Sequence, residues 1–257
     1  MILTADYHTH TPYSHGKNTV AENAAAAAEK GLKQIGIADH GFSHVAFGLR
    51  RRQVSAYKAE CEAASKQYGL DVLVGIEANI RGVDGKADLT EKDFENFDVY
   101  LCGKHIFIWY DCFSDMIRYG GGNLNAEKKK KNPPKKLLDL NTKAYINVIK
   151  NNPVDVITHL NFCCFADAVE VAKAAADYGT YLELNSKKTH LSDEELYAIL
   201  NTGVNFVINS DAHTPDRVGE ISLVEKLLER VPIPEERIMN VNGKIPQMRF
   251  KSYKEKA

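Results

Sequence analysis

The chain has 257 residues, 44% of them hydrophobic and 26% charged, with a formal net charge of −1. Those proportions belong to an ordinary globular protein able to bury about three quarters of its unfolded surface, and the near-zero charge argues against a general nucleic-acid-binding surface. Five cysteines at 61, 102, 112, 163 and 164 form no Cys-x-x-Cys pair. With no basic-then-apolar leader and no apolar run near about eighteen residues, a cytoplasmic chain with reduced thiols and no membrane span is expected.

In chain order, the apolar pair Ile2-Leu3 leads into Asp6-Tyr7-His8-Thr9-His10, a short strand running into a loop that carries Ser14-His15-Gly16. Residues two apart on a strand share a face, so His8 and His10 project together. An alanine-rich helix over 20–30 stops at Gly31. Further strands follow at 34–38, 71–76, 98–102, 153–158, 180–184 and 204–208, each apolar and largely continuous. Helical spacing marks 51–68, 137–151, 166–178 and 216–230, with a short helix at 90–96 and a capping box, Ser192 with Glu195, opening a helix to Leu200. The tail beyond Pro232 reads as polar and irregular. Seven strands alternating with helices imply right-handed β-α units and a parallel sheet, open or closed, in one domain over 1–257.

Of nine histidines, seven fall just after a strand: His8, His10, His15, His40, His105, His159 and His213. Glu77 and Asp211 occupy equivalent places. In a parallel β-α barrel these positions converge on one face, where chemistry collects. Nine nitrogen and oxygen donors exceed what one catalytic zinc needs, so a multinuclear site with open positions is expected. Asp6 and Asp39 adjoin these histidines as possible orienting groups, Cys102 reads as core, and Cys163-Cys164 as thiols packed under a loop. His44 and His190 read as ordinary loop residues.

The order His8-x-His10, Ser14-His15-Gly16, Asp39-His40-Gly41, Gly75-Ile76-Glu77, His105, His159 and Ser210-Asp211-Ala212-His213 resembles the polymerase and histidinol phosphatase (PHP) superfamily over about residues 4 to 219. The segment Gly75-Ile76-Glu77-Ala78-Asn79-Ile80 with Val83-Asp84-Gly85 is most similar to the small stand-alone phosphatases of that group. The resemblance implies an α/β fold, a distorted seven-stranded (β/α)7 TIM-like barrel, holding three divalent ions (zinc, manganese or iron). It assigns His8, His10, Glu77 and Asp211 to one ion, shared Glu77 with His105 and His159 to a second, and His15, His40 and His213 to the third. It also implies phosphoester hydrolysis by a metal-bridging hydroxide, with Glu77, Asp211 and His213 as catalytic residues and a small phosphomonoester, such as histidinol phosphate, as substrate. One departure stands at His159, which Leu160-Asn161-Phe162-Cys163-Cys164 follows where the family usually has Pro-Gly or Pro-Asn. Alternatives are a PHP-type exonuclease acting on nucleic-acid ends and a non-catalytic metal-binding domain.

An unusually long connection, about 108–136, separates His105 from the next helix. It holds Trp109, Tyr110, Tyr119, the run Gly120-Gly121-Gly122, and six lysines within nine residues, at 128–131 and 135–136. It reads either as a lid whose lysines attract a phosphorylated substrate or as a solvated insertion. Lys104, Arg81, Arg217 and Asn185, each beside a ligand segment or at a strand end, are the expected substrate contacts.

Overall fold

The apolar runs pair in parallel and in chain order: β1 (Ala5–Thr9), β2 (Gln34–His40), β3 (Asp71–Asn79), β4 (Val99–Gly103), β5 (Val156–Ile157), β6 (Tyr181–Asn185) and β7 (Phe206–Asn209). The computed structural model describes residues 1–129 and 133–256. β7 returns to β1 through a parallel bridge between Thr9 and Ala212, reinforced by His10 N–H donating to Ala212 O at 2.9 Å. The seven strands therefore form a nearly closed α/β barrel of the TIM-like kind. Nine α-helices lie among the described residues, and none is long and apolar enough to cross a membrane.

Two apolar layers follow from strand alternation. Ala5, Tyr7, Ala38, Val99, Leu101, Val156, Tyr181 and Val207 fill the barrel interior, while Ile35, Ile37, Val74, Ile76, Leu182 and Ile208 meet the helices outside. β1 breaks its alternation. Its register with β2 runs Asp6 to Ile35 and then Thr9 to Ile37, a bulge of one residue. Tyr7 keeps its interior place and His8 still reaches the barrel centre, the re-aiming for which bulges are used near active sites. The seven-residue ladder between β2 and β3 sets His40 level with Glu77.

Helix ends follow local chemistry. A capping box at Thr19 and Glu22 opens α1 (Val20–Glu29), and α2 (Val54–Tyr68) ends on left-handed Gly69. Asp167 caps α6 (Ala168–Tyr178), and the expected Ser192–Glu195 box opens α7 (Asp193–Leu200). The predicted helix at 90–96 is a 3-10 turn, Glu91–Asn96. The predicted helix at 216–230 is shorter: Pro215–Arg217 forms a 3-10 turn, and α8 covers Ser222–Arg230. Gly219 separates them at φ 65°, its N–H donating to Asp6 Oδ2 at 2.9 Å.

The described part of the insertion is ordered into helices, with most of its side chains exposed. It carries α3 (Phe113–Asp115), a π-helical turn at Met116–Gly121 and α4 (Gly122–Lys129), which rest on α5 (Lys135–Asn151). Asn123 and Asn141 exchange hydrogen bonds of 2.9 and 2.8 Å, and Tyr119 is buried. A Cβ at Gly120 would strike the Tyr110 ring, and one at Gly122 would press on Leu137. The glycine run thus permits close packing. Lys128 and Lys129 end α4 and are exposed; Lys130 and Lys131 lie outside the described residues.

The tail is the largest difference from expectation, because it is part of the barrel. Asn240 is fully buried between β1 and β7, donating from Nδ2 to Ala5 O (2.8 Å) and Ile208 O (2.6 Å) and accepting from Ile208 N–H at 2.9 Å. Thr4 N–H donates to Asn240 O, and Met239 N–H to Phe206 O. Met248 joins the interior cluster, and Phe250, from α9 (Arg249–Lys254), packs on Phe94 and Tyr100.

Candidate metal centre

Five strand ends, β1 to β5, deliver the centre of the site. Glu77, near the end of β3 and fully buried, has Oε1 2.6 Å from His159 Nε2 and 3.7 Å from His105 Nε2. Its Oε2 lies 2.8 Å from His40 Nδ1, 3.5 Å from His8 Nε2 and 3.9 Å from His10 Nε2. Asp211 Oδ1 stands 3.4 Å from His10 Nε2 and 3.4 Å from His213 Nδ1, and His15 Nε2 faces His213 Nε2 at 2.7 Å. The fold thus gathers all nine residues singled out in the sequence. Space for them is made at Gly103, where a Cβ would collide with Thr158 Oγ1 and crowd the His159 ring and Glu77. Two of the nine sit on left-handed backbone, His159 at φ 27° and Asp211 at φ 50°, a strain that persists only where surrounding structure fixes it.

The hydrogen-bond network assigns tautomers. His8 Nδ1 donates to Glu183 Oε1 (2.7 Å), His105 Nδ1 to Asn79 Oδ1 (2.8 Å) and His213 Nδ1 to the Asp211 carbonyl (2.9 Å). Each of these rings consequently turns its Nε2 into the cluster. His8 Nε2 lies 3.1 Å from His10 Nε2. Glu77 Oε2 and His40 Nδ1 approach to 2.8 Å, yet each is buried without a hydrogen-bond partner among the described residues. Buried lone pairs aimed at one another, unsatisfied, are costly unless a cation lies between them. The donor set fits divalent ions. Three groups have ligand atoms within 4.8 Å of one another: His8, His10 and Asp211; His8, Glu77 and His159; His10, His40 and Glu77. In these groups His40 goes with Glu77 and His10, whereas the resemblance couples it to His15 and His213. Among the described residues no cysteine joins a group.

Charge states divide the rings: His8 holds a proton that a bound cation would displace, whereas His10 and His15 are held neutral. Burial alone would raise the Glu77 carboxyl, but His105, His8, His159 and His40 hold it well below the ordinary range. Burial pushes His8 down, and Glu183, Glu77 and Asp211 more than reverse this, leaving its pKa well raised. Burial holds His10 well below its usual value, and burial with the neighbouring His40 and His213 brings His15 down to about 3. His15 is thereby kept neutral, the form in which an imidazole ligates.

The family model described as the PHP domain matches residues 6–224. The chain belongs to the PHP domain family. A relative named a probable phosphatase, from Caldanaerobacter subterraneus subsp. tengcongensis, is 32% identical over 250 residues, covering 93% of this chain and 88% of the relative. A histidinol phosphate phosphatase from Lactococcus lactis, solved with zinc, L-histidinol and phosphate, shares the fold at TM-score 0.57 and 14% identity, covering 90% of this chain and 94% of that one. A Listeria monocytogenes structure described as a candidate histidinol phosphatase does so at TM-score 0.60 and 14% identity, over 84% and 97%. The chain is thus a PHP-domain hydrolase of the phosphatase kind, with a histidine and glutamate cluster suited to metal.

Around this PHP centre several expected roles move. Lys104 is no surface cation: it is fully buried, its Nζ donating to His105 O (2.7 Å) and Tyr110 OH (2.8 Å) beneath the rings of Tyr110 and Tyr119. Arg81 Nε donates to Trp109 O, and Arg217 is held by Glu220 and Ser186 O. Only Asn185 reaches the cluster, donating to Glu183 Oε2 (2.9 Å) and Asp211 Oδ2 (3.3 Å). Asp6 and Asp39 orient backbone and hydroxyl groups instead of imidazoles. Asp6 accepts from Ser210 and Gly219, while Asp39 accepts from Thr11 and Ser14. His44 stacks on His40 at 4.9 Å and His190 lies 6.2 Å from His159, so both line the rim. Glu183 and Lys187 were not singled out in the sequence. Glu183 sits at the position along β6 that strand alternation turns inward, which was the available signal.

Proposed function

We propose that this PHP-domain phosphatase hydrolyses a small phosphomonoester at a trinuclear centre held by the nine clustered residues. The observation that supports it most is the set of ring nitrogens of His40, His8 and His10 standing 2.8, 3.5 and 3.9 Å from Glu77 Oε2, a buried oxygen with no hydrogen-bond partner among the described residues. In this reading His8, His10, Glu77 and Asp211 hold one ion, Glu77 with His105 and His159 a second, and His15, His40 and His213 the third, the ions being zinc, manganese or iron. When bound, such ions supply a nucleophilic hydroxide at neutral pH and neutralise phosphoryl oxygens. The chain's own contribution is to place Glu77 at the centre, its two oxygens divided between two sets of histidines, with Asp211 and His213 at the mouth. Thr158 Oγ1 donates to Glu77 Oε1 at 3.0 Å and fixes the carboxylate plane.

The test couples metal analysis of the purified protein to hydrolysis of a phosphomonoester panel, including histidinol phosphate, and of an oligonucleotide. Phosphate release from small esters with the oligonucleotide intact is expected, and Glu77→Gln should abolish it while the protein stays folded. Full activity in Glu77→Gln, or cleavage confined to the oligonucleotide, would overturn the reading.

A further inference from the structure

A dianionic phosphate ester entering this mouth meets carboxylates, Glu77 and Asp211, as well as imidazoles, and a fixed cation from the protein would favour its approach. The expected cations are engaged elsewhere: Lys104 is buried under two tyrosine rings, and Arg81 and Arg217 bond to backbone and to Glu220. Lys187 is differently placed. Its Nζ lies 3.2 Å from Asp211 Oδ1, and 3.3 and 3.5 Å from the two ring nitrogens of His213. Among the described residues it is the one lysine or arginine that forms an ion pair with a side chain of the cluster.

The loop that carries Lys187 is built. Asn185 Oδ1 accepts from the N–H groups of both Lys187 (2.9 Å) and Lys188 (3.1 Å), and Asn185 Nδ2 is itself anchored on Glu183 and Asp211. The backbone at 187 is therefore tied to the cluster through one side chain. The Lys187 side chain is 47% exposed, so its four-carbon stem can swing toward the mouth without moving that backbone. His213 holds the ammonium weakly: Nδ1 donates to the Asp211 carbonyl, and a neutral ring keeps one lone pair, on Nε2. A compact ammonium on a flexible stem serves phosphate as a point charge.

We propose that Lys187 binds a phosphoryl oxygen of the substrate and of the phosphate product, beside Asp211 and His213. This deepens the phosphomonoesterase reading and rests on it for the identity of the ligand. Lys188 makes the natural control, because it is the next residue of the same loop and, among the described residues, forms no ion pair with the cluster, in contrast to Lys187.

Manganese-loaded wild type, Lys187→Met, Lys187→Arg and Lys188→Met are compared for metal content, inorganic phosphate binding by calorimetry, and kcat and KM with p-nitrophenyl phosphate. In Lys187→Met, phosphate affinity should fall and KM rise by about tenfold, the scale of one charge-assisted hydrogen bond, with metal content equal to wild type. Lys187→Arg should recover most of the phosphate affinity, and Lys188→Met should keep it. Unchanged phosphate affinity in Lys187→Met, an equal loss in Lys188→Met, or lost metal with Lys187→Met would overturn the assignment. Lysine-dependent phosphate binding by a wild type that hydrolyses no ester would sink the enzymatic reading and leave this site standing.

Discussion

Glu183 Oε1 accepts the Nδ1 proton of His8 at 2.7 Å, with both side chains fully buried. The same carboxylate accepts from His159 N–H (2.8 Å), Asn185 Nδ2 (2.9 Å) and Asn209 Nδ2 (3.0 Å). One side chain on β6 thereby fixes a ring from β1, the backbone of a histidine after β5, and the loop that carries Lys187. Burial alone would raise this carboxyl; His8 first, then His159 and Asn185, keep it ionised.

Glu183→Gln should keep the shape and lose the charge that orients His8, lowering zinc affinity about 10- to 100-fold, the usual cost of losing such a support. A competition titration against a chromogenic chelator measures this without any substrate. Glu183→Ala should be worse, leaving the His8 Nδ1–H, the Asn209 amide and the His159 N–H buried and unpaired, at about 3 kcal/mol or more. Wild-type zinc affinity in Glu183→Gln would show that His8 is positioned by packing alone.

Lys104 pins the insertion to the end of β4. Its ammonium joins His105 O and Tyr110 OH, and Tyr110 OH donates in turn to Ile106 O at 2.9 Å. Burial pushes its pKa down to about 7, which fits a group held by dipoles and ring faces with no carboxylate against it. Lys104→Met fills the same channel with no donor, leaving His105 O unpaired. The expected loss is about 1–2 kcal/mol, with faster protease cleavage between residues 106 and 129. Limited proteolysis and urea melts read both, and an unchanged cleavage rate would detach Lys104 from the insertion's order.

What was legible in the sequence had a period or a spacing. Strand runs, glycine stops and the Ser192–Glu195 box are local signals, and the nine donors fell at strand ends that the barrel must bring together. Asn240 had no such signal, because its three partners on Ala5 and Ile208 are defined only once β1 and β7 adjoin. Lys104 misled for a related reason. Beside a candidate ligand it reads as a substrate contact, and only the folded insertion, with Tyr110 and Tyr119 over the ammonium, withdraws it. His8 pointed correctly for an incomplete reason: alternation from Tyr7 would have turned it outward without the bulge.

Asn240→Ala tests the wedge between the first and last strands. The substitution strips partners from Ala5 O and from both backbone groups of Ile208, all buried, so about 2–4 kcal/mol should be lost. None of these hydrogen bonds goes to a residue of the metal cluster, so kcat of the folded fraction should stay near wild type. Urea denaturation with activity assayed below the transition separates the two quantities. A loss under about 0.5 kcal/mol, the range of ordinary surface substitutions, would mean that the tail merely rests on the barrel.

Asp155 gives a pH dependence distant from the metal cluster. It is fully buried beneath β5, accepting from Tyr100 N–H (2.9 Å) and Phe250 N–H (2.8 Å). Burial raises its carboxyl to about 7 against the lowering effect of those backbone donors. In the folded chain the proton is thus retained to near neutrality, whereas the unfolded chain releases it near the ordinary 3.8. The contribution to stability is complete below about pH 4 and is lost progressively as pH rises to about 7, where the folded carboxyl also ionises. Asp155→Asn removes the titration and keeps an acceptor. The difference in Tm between wild type and Asp155→Asn, each with the same metal loading, should therefore favour wild type more at pH 5 than at pH 8. A difference that is constant across this range would mean that Asp155 is ionised in the folded protein, held so by the Tyr100 and Phe250 amides.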